Sequence, residues 1–542
     1  MRRQRVLSLL MAGIGVALLV AATTVGVASS ASPNDGVLRI DQSGGAFDTL
    51  DPGLAYVTND WDVLHSTQLL LVNYPDRSGQ AGEQLVPEAA TSFPAISDGG
   101  RTVTFHLRRG LRFDDGSPVT ARCYERAWER ILSPRMYAQY GIFDGLNRMV
   151  VGAQRFTDGR AAHISGIEAA GLMLTFHLTK PNATFVSILS MPWFGAVKPN
   201  MPYTTAPGGI LEYASAGPYY IATNRPGRLV VLRRNPYYRG SRPARSNEIV
   251  IRSYPSSNGE AALLQIEKNQ VDFDFGGVPA ADVATAAKRY PRRFHVGSEG
   301  CVLWEALNNA KAPTNNVDVR KALDYAIGRT PIIRLLGPYA GRATDQLLLP
   351  GMPGYEKLSV YGNYPNFAKA EQVGGSALKN APPLTIVYNS ASTERTQEAQ
   401  FMQSQIERIG LTANLVPEQY YGPIDPNHSQ DNVMRSGYCV DYFDPCDLIN
   451  LFFASGTSHQ TGFDGWYFHS ASFARKADHA ASLTGRARAR AYAALDRLLM
   501  VKYAPVFPLY IPNFRYLVSK RVRHIVFSRY LGYPILNAMS VG

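Results

Sequence analysis

Strand-like and helix-like segments alternate along most of this 542-residue chain. Apolar residues recur at every second position in TVTFHLRRGLRF (102–113) and GLMLTFHLTKP (171–181), the period of a strand with one buried face. They recur at helical spacing in VRKALDYAIGR (319–329). YAPVFPLYIP (503–512) reads as an apolar strand broken by proline. This alternation predicts α/β lobes rather than a barrel, and the length predicts two or three domains.

The N-terminus has the layout of a secretory signal. MRRQR precedes an uncharged stretch from Val6 to Val27 and the small residues ASSAS. We expect residues 1–31 to be a signal peptide cleaved after Ala31; an uncleaved N-terminal anchor is the alternative, because about 20 apolar residues can span a bilayer. The cysteine that a lipoprotein needs at the cut is absent. We therefore expect an exported protein, periplasmic or in the cell envelope at the outer face of the cytoplasmic membrane, and not a lipoprotein.

The basic charge is scattered. The formal net charge is +12, to which three arginines of the N-terminal stretch contribute. The densest clusters are RRNPYYRGSRPAR (233–245) and GRARAR (485–490). A nucleic-acid-binding protein would more often concentrate its basic residues in one patch interleaved with stacking aromatics. We expect no nucleic-acid partner and interpret the charge as a solvated surface near an anionic envelope.

The segment RSGYCVDYFDPC (435–446) combines an arginine, acids and cysteines with aromatic residues. If the segment is extended, Arg435, Gly437, Cys439 and Asp441 share one face. Acidic side chains are rarely buried without a partner, so these acids point to a turn, a metal, a catalytic role or a cation from outside.

Local chemistry offers a structural explanation for each acid of this region. Asp444 precedes a proline and reads as a turn residue. Asp447 precedes the apolar run LINLFF and reads as a helix N-cap. For Asp441, the residues alone favour a structural salt bridge.

Three longer segments carry a family resemblance. LRRGLRFDDGSPVTA (107–121), SAGPYYIATNRPGRLVVLRRNPYYRG (215–240) and NNVDVRKALDYAIGRTPII (315–333) resemble segments of the extracellular solute-binding proteins of ABC importers. The resemblance is to bacterial solute-binding protein family 5, which includes oligopeptide- and dipeptide-binding proteins. Gly328 stands where this family usually has aspartate.

The resemblance implies an α/β, periplasmic-binding-protein-like clamp of class II (cluster C), with a hinge crossover between two lobes. It also implies an additional subdomain inserted in the first lobe. The predicted boundaries are 33–67, 190–300 and 512–542 for lobe I, 68–189 for the inserted subdomain, and 301–511 for lobe II. The implied function is the extracytoplasmic substrate-binding component of an ABC importer: a monomer without cofactor that delivers oligopeptides to the permease transmembrane subunits.

The same resemblance assigns ligand-binding residues. RSGYCVDYFDP is similar to the family segment R-x-G-W-C-x-D-Y-x-x-P, with Tyr438 in the place of tryptophan. It implies that Asp441 pairs with the α-ammonium of a peptide and that Arg435 meets the α-carboxylate of a short peptide. Gly437 leaves the backbone approachable, so the peptide would be held by its backbone and ends.

Four cysteines occur, and their spacings match no zinc site, so we predict no metal. Export makes disulfides the first interpretation. The resemblance implies a bridge between Cys301 and Cys439, whereas Cys123 and Cys446 either pair or stay free.

Two other classes of function stay open. The sequence lacks G-x-S-x-G, H-E-x-x-H and G-x-x-x-x-G-K, so we expect no enzyme, although scattered acids could form a glycosidase pair. Relatives of the same broad family bind nickel complexes, haem, sugars or opines, or serve as receptors for peptide signals. His428, His459 and His469 lie near the predicted cleft, and their spacing favours solvated side chains over metal ligands.

Overall fold

The structure, a computed structural model, describes residues 36–43, 47–136, 138, 145–254, 259–419, 431–454 and 467–542. The predicted signal or anchor lies outside these residues. Within them, each helix is too short or too polar to cross a membrane.

The helices and strands follow in three stretches of chain. Residues 36–198 form β1 (Val37–Gln42), α1 (Thr58–Thr67), β2 (Val72–Asn73), β3 (Val86–Pro87), β4 (Ala95–Ser97), β5 (Thr102–His106), α2 (Ala121–Leu132), α3 (Ala153–Thr157), β6 (Ile167–Ala170), β7 (Met173–His177) and α4 (Phe185–Ile188). Residues 199–300 form β8 (Tyr219–Arg225), β9 (Leu229–Arg234), β10 (Glu248–Ser253), α5 (Gly259–Glu267), β11 (Phe273–Asp274), α6 (Val283–Arg289) and β12 (Phe294–Ser298).

The remaining stretch, 301–542, is the longest. It forms β13 (Cys301–Leu307), α7 (Val317–Ala326), α8 (Arg329–Leu335), β14 (Gly341–Ala343), α9 (Phe367–Lys379), β15 (Leu384–Asn389), α10 (Thr393–Glu407), β16 (Ala413–Glu418), β17 (Val433–Cys439), α11 (Cys446–Phe453), α12 (Ala471–Ser482), α13 (Gly485–Leu498), β18 (Val506–Leu517), β19 (Val522–His524) and β20 (Ser540–Val541).

The first large sheet has the strand order β11-β1-β10-β9-β8. Strand β1 pairs in parallel with β10 and β11, whereas β8, β9 and β10 pair antiparallel. Leu38 and Ile40 of β1 are buried and alternate with half-buried residues, as do Ile249 and Ile251 of β10. The period of two seen in the sequence therefore places one face of this sheet in a core.

The second large sheet has the strand order β12-β18-β13-β17-β15-β16. Strand β14 also pairs with β18, outside this order. The first half of β18 pairs with β13 and its last five residues pair with β12. The same end of β18 reaches the first sheet's side of the molecule, where the Val278 amide donates to the Arg515 carbonyl at 2.9 Å. Strand β18 thus joins the two halves of the protein.

The expected proline break in this strand is wrong. β18 runs without interruption from Val506 to Leu517 and contains Pro508 and Pro512. Its pairing with β13 shifts register between Leu303 and Trp304, which lies opposite Pro508. A bulge tolerates proline because a ladder hydrogen bond is already missing there.

A four-stranded antiparallel sheet, β4-β5-β7-β6, forms a separate layer against α2. Trp128 of α2 packs on Phe176 of β7 and on Phe194, with ring centroids 5.7 and 4.5 Å apart. The buried apolar cluster that contains Trp128 continues to Trp304 of the second large sheet. Two mixed sheets and this smaller layer confirm the predicted α/β clamp with an inserted subdomain, while the exact residue boundaries of the lobes stay a prediction.

Candidate functional site

The site is built on β17, which lies between β13 and β15 in the second sheet. Cys439 ends β17 directly opposite Cys301, the first residue of β13, and the structure has a disulfide between them. The Val440 amide then donates to the Gly300 carbonyl at 2.9 Å. The covalent link and this hydrogen bond fix the point at which the chain leaves the sheet and carries Asp441 with it.

Asp441 lies just beyond β17 and its side chain is buried, with 6% exposed. Its carboxylate accepts hydrogen bonds from the Tyr438 hydroxyl at 2.6 Å and the Tyr56 hydroxyl at 3.2 Å. Burial raises the pKa of Asp441 from its ordinary value of 3.8 to about 7, although both hydroxyls act in the opposite direction. No basic side chain in the described ranges forms an ion pair with Asp441, so the salt bridge favoured by local chemistry does not form among these residues.

Tyr56 reaches this carboxylate from the other half of the molecule. It precedes α1 and stacks on Trp193, with ring centroids 5.3 Å apart. The indoles of Trp61 and Trp193 both donate to the Ala55 carbonyl, at 2.9 and 2.7 Å, and so fix the backbone beside Tyr56. The tyrosine is therefore held rigidly where it can contact Asp441.

Tyr438 forms an aromatic wall on the side of the second sheet. Its ring meets Phe452 of α11 edge to face at 4.8 Å, and Phe452 meets Trp304 in the same way at 5.3 Å. The Tyr438 hydroxyl is also 3.3 Å from the Tyr56 hydroxyl. A tryptophan in this position could not donate a hydroxyl proton to Asp441, so tyrosine changes the chemistry of the site as well as its size.

Arg435 has partners within the second half of the chain. Its guanidinium donates to Glu305 at 3.0 Å, to Glu398 at 2.7 Å and to the Tyr510 hydroxyl at 2.9 Å. Burial raises the pKa of Glu305 to about 7, which Arg435 partly offsets. Arg435 thus lies within β17 and Asp441 just beyond its end. The charge of Arg435 is already neutralised by protein carboxylates.

Gly437 lies opposite Leu303 of β13. A Cβ at position 437 would lie 2.4 Å from Leu303 Cδ2, closer than real Cβ contacts allow. The close approach that this glycine permits in the structure is therefore that of a cross-strand side chain.

The other two acids have structural roles. The Asp444 carboxylate accepts from the Cys446 amide at 2.9 Å, which confirms the turn, and also pairs with Arg488 at 2.6 Å. The N-cap interpretation of Asp447 is wrong, because α11 begins after Pro445 and Asp447 lies in its first turn. The Asp447 carboxylate instead accepts from the amide of Asp441 at 2.6 Å, which orients the backbone of the site.

A cavity of about 340 Å³ adjoins this segment. Tyr442 and Asp447 line one part of it, and Met149 and Lys180 line another. This volume lies within the usual range for small-ligand sites, roughly 300 to 1,000 Å³. The residues that flank Asp441 therefore border a space that an organic molecule could occupy.

The remaining candidates contribute little. Cys123 and Cys446 are free thiols, so the open pairing is resolved in favour of no second bridge. His469 is exposed, and His428 and His459 lie outside the described residues. Within those residues, no cluster of three histidine, cysteine or acidic side chains could hold a metal ion. Sequence reasoning missed Tyr56 and Trp193, for which AYVTNDW and MPWF give no local functional signal.

Known proteins resemble the chain over nearly all of its length. The sequence profile of "Bacterial extracellular solute-binding proteins, family 5 Middle" matches residues 84–460. The "Probable D,D-dipeptide-binding periplasmic protein DdpA" of Escherichia coli (strain K12) is 24% identical over 533 residues, which cover 96% of this chain and 97% of that protein.

Two solved structures show the same fold. One is the "Clavulanic acid biosynthesis oligopeptide binding protein 2", with a TM-score of 0.84, 21% identity, and coverage of 94% of this chain and 96% of that one. The other is Haemophilus influenzae OppA in complex with the peptide RPPGFSPFR, with a TM-score of 0.74, 20% identity, and coverage of 94% and 99%. The chain therefore belongs to the bacterial extracellular solute-binding proteins, family 5, and is a solute-binding protein of the ABC-transporter type rather than an enzyme.

Proposed function

We propose that this protein is the extracytoplasmic component of an importer that binds oligopeptides through their backbone and ends. The observation that carries the proposal is the buried Asp441 carboxylate, which accepts from two tyrosine hydroxyls and has no ion-pair partner among the described residues. A buried anion of this kind is stabilised by a cation, because Coulomb attraction strengthens as water is excluded. We assign this cation to the α-ammonium of a peptide.

The two tyrosines approach the Asp441 carboxylate from different sides, and so connect ligand binding to closure of the clamp. Tyr438 approaches the carboxylate from the second sheet and Tyr56 from the side of α1. A ligand that binds Asp441 beside these two hydroxyls would contact both halves of the clamp. Such a ligand favours the closed arrangement by the difference between its contacts in the closed and open forms.

The other proposed contacts are Arg435 and Gly437. Arg435 would meet the α-carboxylate of a short peptide, for which that carboxylate has to replace one of two glutamates now bonded to the guanidinium. Gly437 would allow the peptide main chain to approach β17. Neither contact recognises the ligand's side chains, as expected for a protein that binds peptides of many sequences.

The surrounding assembly follows from this role. We propose that the protein acts as a monomer at the outer face of the cytoplasmic membrane, in the periplasm or cell envelope, and transfers its ligand to the permease transmembrane subunits. The lobe boundaries 33–67, 190–300 and 512–542, with 68–189 inserted and 301–511 as lobe II, belong to the same proposal.

Calorimetric titration with a mixture of tri- to pentapeptides tests the function. We expect saturable binding that a free α-ammonium strengthens. Native mass spectrometry of the purified protein should also show co-purifying peptides that dissociate chemically unchanged. No heat with peptides, together with binding of an opine, a sugar, haem or a nickel complex, would replace the peptide proposal by that solute.

A further inference from the structure

Two consecutive helices carry basic side chains that the solute site does not use. These exposed residues of α12 and α13 are Arg475, Lys476, Arg486, Arg490 and Arg497. None of the five forms an ion pair with a described residue. Of the acids on these two helices, Asp478 is paired with Lys180 at 3.4 Å and Asp496 is buried. The basic charge of this face is therefore largely uncompensated.

The exposed basic side chains of α13 share one side of the helix. Arg486, Arg490 and Arg497 are separated by four and seven residues, close to whole turns of an α-helix, and form one stripe. Tyr492 and Leu495 are buried on the opposite side of α13. Only residues 483–484 separate α12 from α13, and the two helices pack against each other as a hairpin.

Several arginines of the other dense basic stretch of the chain, 233–245, have partners within the protein. Arg233 pairs with Glu248 at 2.8 Å, and Arg234 donates to the Ser246 carbonyl at 2.8 Å. Arg242 is buried against Glu88 at 2.5 Å. By contrast, Arg486 and Arg490 repel each other at a spacing of four residues, which is mildly destabilising for an isolated helix. A charge pattern without internal partners calls for an external anion.

We propose that this face of α12 and α13 binds an anionic lipid surface. A stripe of exposed arginine side chains suits a plane of phosphate headgroups, which needs charge and no shaped pocket. The inference is independent of the solute, because Asp441 and its neighbours take no part in it. Each basic side chain near such a surface strengthens binding about fivefold. Docking here would hold the solute-binding protein close to the membrane in which its permease resides.

Sedimentation of the full chain with vesicles tests the proposal. Vesicles of phosphatidylcholine alone are compared with an equimolar mixture of phosphatidylcholine and phosphatidylglycerol, and the neutral vesicles report any contribution of the apolar N-terminal stretch. We expect binding to the anionic vesicles that weakens as salt is added. The triple variant Arg486→Gln, Arg490→Gln, Arg497→Gln should lower the partition coefficient about 100-fold.

Two further variants make the result specific. Arg486→Lys, Arg490→Lys, Arg497→Lys keeps the charge and should bind as the wild type does, whether or not the glutamine variant folds. The matched control removes the same charge from three exposed arginines of another region: Arg225→Gln, Arg228→Gln and Arg239→Gln. Equal binding to neutral vesicles, an equal loss in the matched control, or loss in the lysine variant would overturn the proposal. Binding only to vesicles that contain the permease would assign the face to a protein partner and would also overturn it.

Discussion

Replacing Asp441 by asparagine is expected to weaken peptide binding and leave the fold intact. Asparagine keeps the shape of the side chain and an oxygen that can accept from Tyr438 and Tyr56. It removes the negative charge that, in our proposal, pairs with the α-ammonium of the peptide. Breaking a desolvated charge pair on one side costs about 2 to 5 kcal/mol, which is roughly 30-fold to several thousand-fold in affinity.

Without ligand, Asp441→Asn should raise the stability of the folded protein at neutral and higher pH. The pKa of Asp441 is raised from 3.8 to about 7 by burial, a difference that corresponds to about 4 kcal/mol. Between these two values the folded protein binds more protons than the unfolded chain, so its stability falls as pH rises through this window. Asp441→Asn has no such loss. At about pH 8 the ligand-free variant should therefore exceed the wild type in stability, by up to about 4 kcal/mol, and the excess should vanish near pH 3.

The assay combines calorimetry with thermal unfolding. Peptides with a free and with an acetylated N-terminus are titrated into the wild type and into Asp441→Asn. Acetylation removes the same charge from the ligand's side, so it should cost the variant little further affinity, and the two losses should be strongly non-additive. Peptide binding by the wild type should strengthen as pH rises through about 7, because the ammonium binds the ionised carboxylate. Asp318→Asn, the same change at an exposed aspartate of α7, is the matched control.

Two results would refute this reasoning. Independent, additive losses would show that Asp441 and the ammonium do not pair. A fall in the ligand-free stability of Asp441→Asn at about pH 8 would show that the charge is compensated within the protein, as in a structural salt bridge.

Three other predictions concern residues that hold the site in place. Arg435→Gln removes the ion-pair partner of the buried Glu305 and leaves Glu398 with Arg395 alone, so it should lower stability by about 3 to 5 kcal/mol in urea unfolding; if Arg435 also contacts ligand, free-acid peptides should lose more affinity than amidated ones. Gly437→Ala introduces a clash at 2.4 Å and should cost about 1 to 3 kcal/mol, whereas Gly208→Ala, with open space around its Cβ, should be neutral in the same assay. Replacing Cys301 and Cys439 together by serine opens a bridge across 138 residues and should lower stability by up to roughly 5 kcal/mol, measured calorimetrically; an unchanged melting temperature would contradict this.

The local order of elements could be read from the sequence because it depends on neighbouring residues. Alternating apolar positions predicted β5 and β7, and helical spacing predicted α7, where the structure has them. Family segments between 107 and 333 predicted the clamp and its inserted subdomain. Proline in β18 misled this reasoning, since its acceptance depends on a register shift against β13 that no local pattern encodes.

The position of Asp441 after a strand, beside an aromatic residue and a disulfide cysteine, was also within reach of the sequence. Its electrostatic state was decided by tertiary structure. Tyr56 lies 385 positions from Asp441 in the chain. Glu305, which pairs with Arg435, lies 130 positions from it. Burial and long-range pairing set whether a charge is compensated, and both arise only when the two sheets and the inserted subdomain pack together. The sequence alone thus determined which residues carry charge, and the fold decided that Arg435 is neutralised by protein carboxylates while Asp441 has no ion-pair partner among the described residues.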